Sequence, residues 1–356
     1  MSEVYIAGVG FTPMKIRGKE SFGDLVYDAV TSALEDSGFS IQEIDTVMDA
    51  GIDLLDGKGI SNTEILASAG CYLKEEAKVE EDGLVAVFYA EKRIKSGLSK
   101  NVLIFGYSKS SCLDIDAYFN AAFDPTLYRQ LGFTEKLLLA LQSSAIMNRI
   151  KVSPNSVLDA LLTNSLRNPF IEHRERGEEV VIYPLREKDL PLYVDGAVAL
   201  VLTDNAERVK EPVRLLSSWI AVESGSLSLR EPGELPSFKV SLKKCLEKCG
   251  LKPADIDVWE LSEPTPYHLM MMVEDGGICR VEDLQEQIKA GRINPSGGAL
   301  LSTALVACGL YRLAFGSLYL RENKLPFSPP DVKRVLCHGY GGVGMQSNTV
   351  VVIEKA

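Results

Sequence analysis

Apolar and polar residues follow one another along this chain in blocks that predict alternating strands and helices. Short apolar runs, typical of buried strands, occur in the first half near 3–9, 45–50, 101–106 and 197–203. Longer stretches with apolar residues three or four positions apart predict helices at about 21–37, 62–73 and 83–96. This alternation predicts an α/β protein with a mixed or mostly parallel sheet that is covered by helices on both faces.

The second half follows the same plan. Strands are predicted near 213–222, 256–261, 333–338 and 348–354, and helices at about 237–249 and 303–320. An insertion at about 107–190 separates the first-half elements; it is helical in its middle and loop-rich at its end. We therefore predict two halves, residues 1–205 with the insertion and residues 206–356.

A sequence repeat supports this division. LEDSGFSIQEIDTV at 34–47 recurs as LEKCGLKPADIDVW at 246–259, and VLIFGY at 102–107 recurs as VLCHGY at 335–340. Similarity in the same order in both halves indicates one α/β unit used twice. Two such copies should face each other across a pseudo-twofold axis, with a pocket where their strand ends meet.

Composition narrows the class of protein. The 356 residues are 46% hydrophobic and 24% charged, which is ordinary for an enzyme-sized globular protein, and the net charge is −11. This charge argues against a nucleic-acid or anionic-membrane surface. No apolar run reaches the roughly 18–20 residues of a membrane helix, and no secretory signal is recognised, so a cytoplasmic location is expected.

The cysteines favour a reducing compartment and indicate no metal centre. Seven of them are dispersed along the chain, an odd number that does not suit a disulfide framework. Cys245 and Cys249 are four residues apart on a predicted helix, but no second pair with ligand spacing accompanies them. No metal site and no bound cofactor are expected.

Three acidic residues, Glu80, Glu81 and Asp82, precede the helix predicted from residue 83. A helix N-terminus carries partial positive charge and stabilises anions. The three acids therefore either cap the helix or present a carboxylate to a pocket.

Polar residues also follow the strand predicted at 256–261. Ligands of open α/β sheets gather at the carboxyl ends of strands, and this edge offers Ser262, Glu263, Tyr267 and His268. The chain has three histidines, so His268 is a candidate for catalysis. A single histidine beside an apolar run is more often packed than catalytic, and this alternative stays open.

Two glycine-rich segments near the C-terminus are candidates for ligand contact. Glycine lets backbone N–H groups approach a ligand closely, as an oxyanion hole requires. The first segment contains Ser296, Gly297 and Gly298; the second contains Cys337, His338, Tyr340, Gly341 and Gly342. His338, directly after a predicted strand, is the best general acid–base candidate, with a packed histidine in a tight turn as the alternative. No phosphate-binding or dinucleotide-binding glycine motif occurs.

These segments resemble the thiolase superfamily, in particular its archaeal and sterol-carrier-protein-2-type branch. The similar segments cover nearly the whole chain: VYIAGVGFTPM, FGDLVYDAVTSALEDSGFSIQEIDTV, RNP at 167–169, DGAVALVLTD at 195–204, EDGGICRVEDLQEQIKAGRINPSGGALLS and GYGGVGMQSNTVVV. The resemblance implies a five-layered αβαβα thiolase fold, a dimer, and a pocket for acyl-CoA. Coenzyme A thioester is then the substrate, with the two glycine-rich segments contacting it.

The chain departs from the family pattern at its catalytic positions. Thiolases carry a nucleophilic cysteine at the N-terminus of the helix that starts here near residue 83, and that position holds Glu80. The Gly-His-Pro triplet of the family is replaced by Ser302-Thr303-Ala304, and the pair after the second-half strand by Ser262 and Glu263. A covalent acyl-enzyme is therefore not expected from the usual residues.

Three hypotheses follow. The chain is a cysteine-free enzyme that makes or breaks a C–C bond of an acyl-CoA, using His338 and Tyr340 with Tyr267 or His268, and with Glu263 as a further catalytic candidate; the resemblance implies a small OB-fold or zinc-ribbon partner. Alternatively, it is a non-catalytic subunit that scaffolds an active thiolase-like chain or that partner. The third hypothesis is an acyltransferase with an unexpected nucleophile, Cys337 or Cys308.

Overall fold

The structure is a computed structural model that describes residues 2–57, 60–321 and 325–356. Its strands are β1 (Tyr5–Phe11), β2 (Thr46–Ala50), β3 (Glu75–Val79), β4 (Asn101–Lys109), β5 (Val180–Ile182), β6 (Leu185–Arg186), β7 (Asp195–Thr203), β8 (Val213–Val222), β9 (Val258–Glu260), β10 (Arg334–Gly341) and β11 (Ser347–Lys355). Its helices are α1 (Phe22–Ser37), α2 (Asp53–Asp56), α3 (Asn62–Ser68), α4 (Gly83–Lys95), α5 (Ile115–Ala122), α6 (Glu135–Arg149), α7 (Pro154–Ser165), α8 (Pro236–Cys249), α9 (Pro266–Asp275), α10 (Leu284–Lys289) and α11 (Cys308–Tyr319).

Nine strands form a mixed sheet in the order β3-β2-β4-β7-β1-β8-β11-β10-β9. The two halves of the chain meet where β1 pairs antiparallel with β8, with Tyr5 opposite Arg214. From that junction the strands of both halves follow in an equivalent order. The N-terminal half continues from β1 to β7, β4 and β2, and the C-terminal half continues from β8 to β11, β10 and β9. The N-terminal half adds β3 at its outer edge, and β5 and β6 form a separate hairpin.

Helices cover the sheet in layers. Helix α1 packs on the outer face of β1 and β7, and α8 packs on the outer face of β8 and β11. Helices α4 and α11 contact strands of both halves and therefore lie between them. Buried apolar side chains fill the central space and both outer spaces, which gives the alternating α, β, α, β and α layers of the predicted fold. The fold class predicted from the sequence is confirmed.

The two repeated segments adopt the same local structure. Each begins at the end of an outer helix, where Gly38 and Gly250 both have φ of 69°. This left-handed conformation is accessible to glycine at little cost and closes the helix C-terminus. A short 3₁₀ turn follows in each half, at Ile41–Glu43 and at Pro253–Asp255.

One aspartate of the repeat has the same role in both halves. Asp45 Oδ2 accepts hydrogen bonds from the N–H groups of Lys100 and Asn101, at 2.8 and 2.9 Å. In the other half, Asp257 Oδ2 accepts two bonds of 2.9 Å from residues 333 and 334. The repeated aspartate thus fixes the start of β4 in one half and of β10 in the other.

Several elements of the structure differ from the prediction. Strand β3 was not predicted, because its sequence EEAKV is mostly charged and its outer edge is unpaired. Helix α11 begins at Cys308 rather than 303, since Leu305 has a positive φ of 43° that a helix does not allow. Helix α3 ends at Ser68, short of the predicted 73.

Strand β10 extends three residues beyond its predicted end, because its pairing with β11 continues to Gly341 opposite Ser347. His338 therefore lies within a strand and not directly after one. Side chains of a strand alternate between the two faces of the sheet, so the neighbours Cys337 and His338 point in opposite directions. No helix among the described residues combines the length and the apolar character that crossing a membrane requires.

Candidate active site

A cavity of about 190 Å³ lies where the N-termini of α4 and α11 approach the end of β10 and helix α5. The predicted pocket between the two halves is therefore present as a cavity. Its wall is partly apolar and partly polar; the residues that line it are Ile52, Leu55, Glu80, Glu81, Asp82, Tyr118, Phe119, Tyr193, Thr303, Leu305, Val306, Cys308, Tyr340, Gly341 and Gly342.

Asp82 joins the two central helices at the base of this cavity. Its Oδ1 accepts from the N–H of Leu84 at 3.0 Å, and its Oδ2 accepts from the N–H of Gly309 at 2.8 Å. One buried carboxylate thus caps the first turns of both α4 and α11. Burial raises the pKa of Asp82 to about 7, and the two N–H donors oppose that shift.

Two glycines of β10 make room for the acidic residues before α4. A Cβ atom at Gly339 would overlap the carboxylate of Asp82, and one at Gly341 would overlap Oε2 of Glu81. Both glycines lie on the same face of β10, since they are two residues apart in a strand. The Gly-Tyr-Gly sequence at the end of β10 is therefore required by the side chains that pack against it.

Three tyrosines surround the cavity. Tyr118 comes from α5, Tyr193 lies two residues before β7, and Tyr340 lies near the end of β10. Burial raises the pKa of each phenol above its ordinary value, and nearby carboxylates raise it further, among them Glu135. All three hydroxyl groups consequently stay protonated at neutral pH and can donate hydrogen bonds.

The sulfur atom that lines the cavity belongs to Cys308, the first residue of α11. Its side chain is buried, and burial raises the pKa of the thiol to about 11. At neutral pH it is therefore a neutral thiol and a poor nucleophile. Cys337 does not line the cavity; it packs against α11, where its thiol donates to the backbone oxygen of Arg312 at 3.5 Å.

His338 is fully buried outside the cavity wall, on the opposite face of β10 from Cys337. Its Nδ1 accepts from the N–H of Ser262 at 3.3 Å, so the proton of the neutral ring is on Nε2, which donates to Asn348 Oδ1 at 2.8 Å. Burial lowers its pKa to about 4. Both ring nitrogens are occupied, and the geometry is that of the packed histidine left open as the alternative.

His268 and Glu263 are also buried and do not line the cavity. The ring of His268 bonds Thr265 Oγ1 at 2.8 Å and Gln142 Oε1 at 3.2 Å, and burial lowers its pKa to about 3. Glu263 accepts from Asn294 Nδ2 at 2.8 Å and from the N–H of Leu300 at 3.2 Å. Their contacts hold together the segments around β9.

The first glycine-rich loop is likewise enclosed by protein. Ser296 donates to the carboxylate of Glu260 at 2.7 Å, and a Cβ atom at Gly297 or Gly298 would overlap neighbouring side chains. None of the three loop residues lines the cavity. Of the residues that the sequence named as candidates, the structure brings seven to the cavity: Glu80, Glu81, Asp82, Cys308, Tyr340, Gly341 and Gly342.

A second, larger cavity of about 660 Å³ adjoins the first. Phe119 and Tyr193 line both cavities, with ring centroids 6.2 Å apart. The second cavity is formed mostly by the insertion, and its wall combines apolar residues with the cationic side chains of Lys136, Arg174 and Arg176. Among the described residues, no group of three or more His, Cys, Asp or Glu could hold a metal ion.

Sequence reasoning did not find the three aromatic residues that come from outside the repeats, Tyr118, Phe119 and Tyr193. The first two lie on α5, an eight-residue helix within the insertion, for which no strand end or motif indicated a site. For Tyr193 a signal existed, since an aromatic residue two positions before a fully buried strand lies close to the end of that strand.

Comparisons with known proteins agree with this architecture. Residues 221–354 match the family model "Thiolase C-terminal domain-like". An acetyl-CoA acetyltransferase of Methanocaldococcus jannaschii is 26% identical over 99% of this chain and 98% of its own length. Human sterol carrier protein 2 is 24% identical over 96% of this chain and 70% of its own.

A solved structure gives the same result for the fold. The "Ltp2-ChsH2(DUF35) aldolase" superposes with a TM-score of 0.80 at 17% identity, over 99% of this chain and 98% of that one. The family-model match over residues 221–354, the full-length relatives and the layered topology together support membership of this chain in the thiolase superfamily.

Proposed function

We propose that this protein makes or breaks a C–C bond beside the carbonyl of an acyl-CoA thioester, by an aldol-type reaction without a cysteine-bound acyl intermediate. The observation that carries the proposal is the composition of the cavity wall. Tyrosine hydroxyls and carboxyl groups line it, and Glu80 occupies the position where the resemblance expects a nucleophilic thiol. The thiol present, Cys308, is held neutral by burial.

An aldol cleavage needs two kinds of group. A base takes the proton of the hydroxyl group on the β-carbon, and hydrogen-bond donors stabilise the enolate oxygen that forms on the thioester carbonyl. Tyr340, Tyr193 and Tyr118 supply protonated donors around one cavity. Several carboxyl groups lie on the same wall. The arrangement therefore contains both kinds of group without requiring a sulfur nucleophile.

The second cavity supports acyl-CoA as the substrate. It adjoins the first, and its wall offers apolar area together with Lys136, Arg174 and Arg176, cations of the kind that bind phosphates. Four acidic residues share this wall, and two of them pair with these cations: Asp116 with Lys136 at 2.8 Å and Glu187 with Arg174 at 3.5 Å. The archaeal relative is named as an acetyl-CoA acetyltransferase, which supports the same substrate class. We assign the reacting carbons to the smaller cavity and the remainder of the substrate to the larger one.

A partner chain belongs to the proposal as well. The structural neighbour is an aldolase whose title names a second component with a DUF35 domain. Activity is therefore expected to be greatest with a partner of that kind, and a homodimer or a heterodimer with a second thiolase-like chain is the expected assembly.

The test is a direct assay for carbonyl release. The purified chain, alone and with a DUF35-domain protein from the same source, is incubated with a series of 3-hydroxyacyl-CoA thioesters. Release of an aldehyde or ketone together with the shortened acyl-CoA is expected, measured by mass spectrometry. Tyr340→Phe should lower kcat about 100-fold, because it removes one donor to the enolate; Tyr27→Phe, at a residue 59% exposed on α1, should not.

Intact-protein mass spectrometry after incubation with acyl-CoA separates the competing hypotheses. We expect no acyl adduct on the chain. Stoichiometric acylation of Cys308 or Cys337 would instead establish the acyltransferase hypothesis. Binding of acyl-CoA without turnover, even with the partner present, would establish the non-catalytic subunit.

A further inference from the structure

We propose that Glu81 is the catalytic acid–base residue of this site, carrying the proton from the β-hydroxyl group of the substrate to the α-carbon of the product. The inference rests on the proposed function and names a residue for it. Glu81 is singled out by comparing the carboxyl groups near the cavity and asking which of them has an oxygen that is not already bonded to another group.

The other carboxyl groups near the cavity are occupied or solvated. Asp82 has each oxygen bonded to a helix N–H group. Both oxygens of Glu135 accept from the N–H of Gly344, at 3.2 and 3.3 Å, and Glu263 is bonded to Asn294 and Leu300. Glu80 lines the cavity, but it is exposed, so water competes for its oxygens.

Glu81 differs from all of these. It lines the cavity and is half-buried. Within the described residues, neither its Oε2 nor the nearby Ser347 hydroxyl makes a hydrogen bond of normal geometry. Oε2 lies against the α-carbon of Gly341, and the carboxyl group lines the same cavity as the proposed enolate donor Tyr340.

The surroundings also suit proton transfer. Burial raises the pKa of Glu81 above its ordinary value, and the backbone N–H of Asp82 and, less strongly, the Ser347 hydroxyl offset part of that effect. A carboxylate with a raised pKa is a stronger base. The negative charge of Glu81 in turn raises the pKa of Tyr118, which keeps that phenol a donor.

The proposed step balances with the substrate alone. The Glu81 carboxylate accepts the proton of the β-hydroxyl group, and the O–H electron pair becomes the C=O bond of the released aldehyde or ketone. The Cα–Cβ bond breaks, and its electron pair forms the enolate of the thioester. The enolate then takes the proton back from Glu81 at the α-carbon, which gives the shortened acyl-CoA and restores the carboxylate.

The experiment compares the full chain with Glu81→Gln, together with its DUF35-domain partner if activity requires it. Three quantities are measured: cleavage of a 3-hydroxyacyl-CoA, incorporation of solvent deuterium at the α-carbon of a saturated acyl-CoA, and the Kd of that acyl-CoA by calorimetry. Glutamine keeps the shape of the side chain but cannot accept the proton. We expect kcat and the exchange rate to fall about 100-fold or more, with Kd changed less than about threefold.

Glu175→Gln makes the same chemical change at an exposed residue away from both cavities and is the matched control. If the unmodified chain cleaves the substrate and Glu81→Gln retains its rate within threefold, Glu81 is not the acid–base residue, while the proposed function stands. If the unmodified chain binds acyl-CoA but neither cleaves nor exchanges, the proposed function fails, and this inference fails with it. Deuterium exchange that depends on Glu81, without cleavage, would support the acid–base role of Glu81 and would overturn the proposed aldol-type cleavage.

Discussion

The two halves of this protein share a backbone plan but bring different chemistry to the cavity between them. Asp45 and Asp257 hold equivalent strands in the same way, and Gly38 and Gly250 end equivalent helices with the same φ. The two central helices, α4 and α11, begin with different residues. The start of α4 is preceded by three acidic residues, whereas α11 begins with a buried thiol.

This difference separates residues that build the fold from residues that build the site. The repeated aspartate satisfies backbone N–H groups of its own half, a need that both copies have equally. The residues at the starts of α4 and α11 come from different halves and pack against each other. They have to fit one another, and therefore need not resemble the equivalent residues of the other copy. The repeated aspartate therefore marks the scaffold, whereas the starts of α4 and α11, where the two copies differ, contribute to the cavity.

The largest effect on stability is expected at Asp82, which connects the two central helices. Asp82→Ala removes the acceptor of two buried helix N–H groups, and we expect it to lower the free energy of unfolding by about 3 kcal/mol. Urea denaturation measures this. Glu80→Ala, an exposed neighbour, should change stability by less than about 0.5 kcal/mol. Equal effects of the two changes would mean that Asp82 does not tie the helices together.

A smaller loss of stability is expected when the repeated aspartate is removed from either half, and comparing the two losses tests whether the halves are equivalent. Asp45→Ala and Asp257→Ala each remove an acceptor for two N–H groups at a partly solvated strand start, and each should cost about 1 kcal/mol. The two losses, measured by urea denaturation, should agree within about 0.5 kcal/mol. Asp28→Ala, at an exposed position of α1, serves as the control. A loss confined to one half would show that the repeated aspartate has only one structural role.

The smallest effect concerns a position where the copies differ, since His338 corresponds to the apolar Phe105 in the repeat. The unfolded chain binds a proton on this histidine near pH 6.5, but the folded chain only near pH 4. Its contribution to stability is thus complete above pH 6.5 and is lost as the pH falls toward 4. His338→Gln should reduce the loss of stability between pH 7 and 6 by up to about 1 kcal/mol, measured by urea denaturation at both values. An unchanged loss would mean that the buried ring is protonated in the folded state.

Most of the fold could be predicted from the sequence because the elements are amphipathic or fully apolar. Helix α1 buries Leu25, Val26, Ala29, Val30 and Ala33 at helical spacing, and every residue of β7 is buried. Strand β3 could not be predicted in this way, since it lies at the sheet edge and its charged residues form ion pairs, as Glu75 does with Arg93. The thiolase fold followed from the repeat and the similar segments taken together.

The candidate site was predicted only in part. Glu80, Tyr340, Gly341 and Gly342 reach the cavity because they lie at the helix and strand ends that the topology brings together. His338 does not, because it lies inside β10 with its side chain on the face opposite Cys337. His268 does not, because it lies on α9, where its ring bonds Thr265 and Gln142. Tyr118 and Tyr193 come from segments whose place against the sheet depends on tertiary packing, which periodicity does not encode.

The double cap made by Asp82 also defines how this protein can be redesigned. A chemist who wants a different reaction here is free to vary the neighbouring positions 80 and 81, whose side chains reach the cavity without closing a helix. Position 82 offers no such freedom, because one substitution there would loosen both central helices at once. New catalysts on this scaffold should therefore be sought by changing positions 80 and 81, with Asp82 kept.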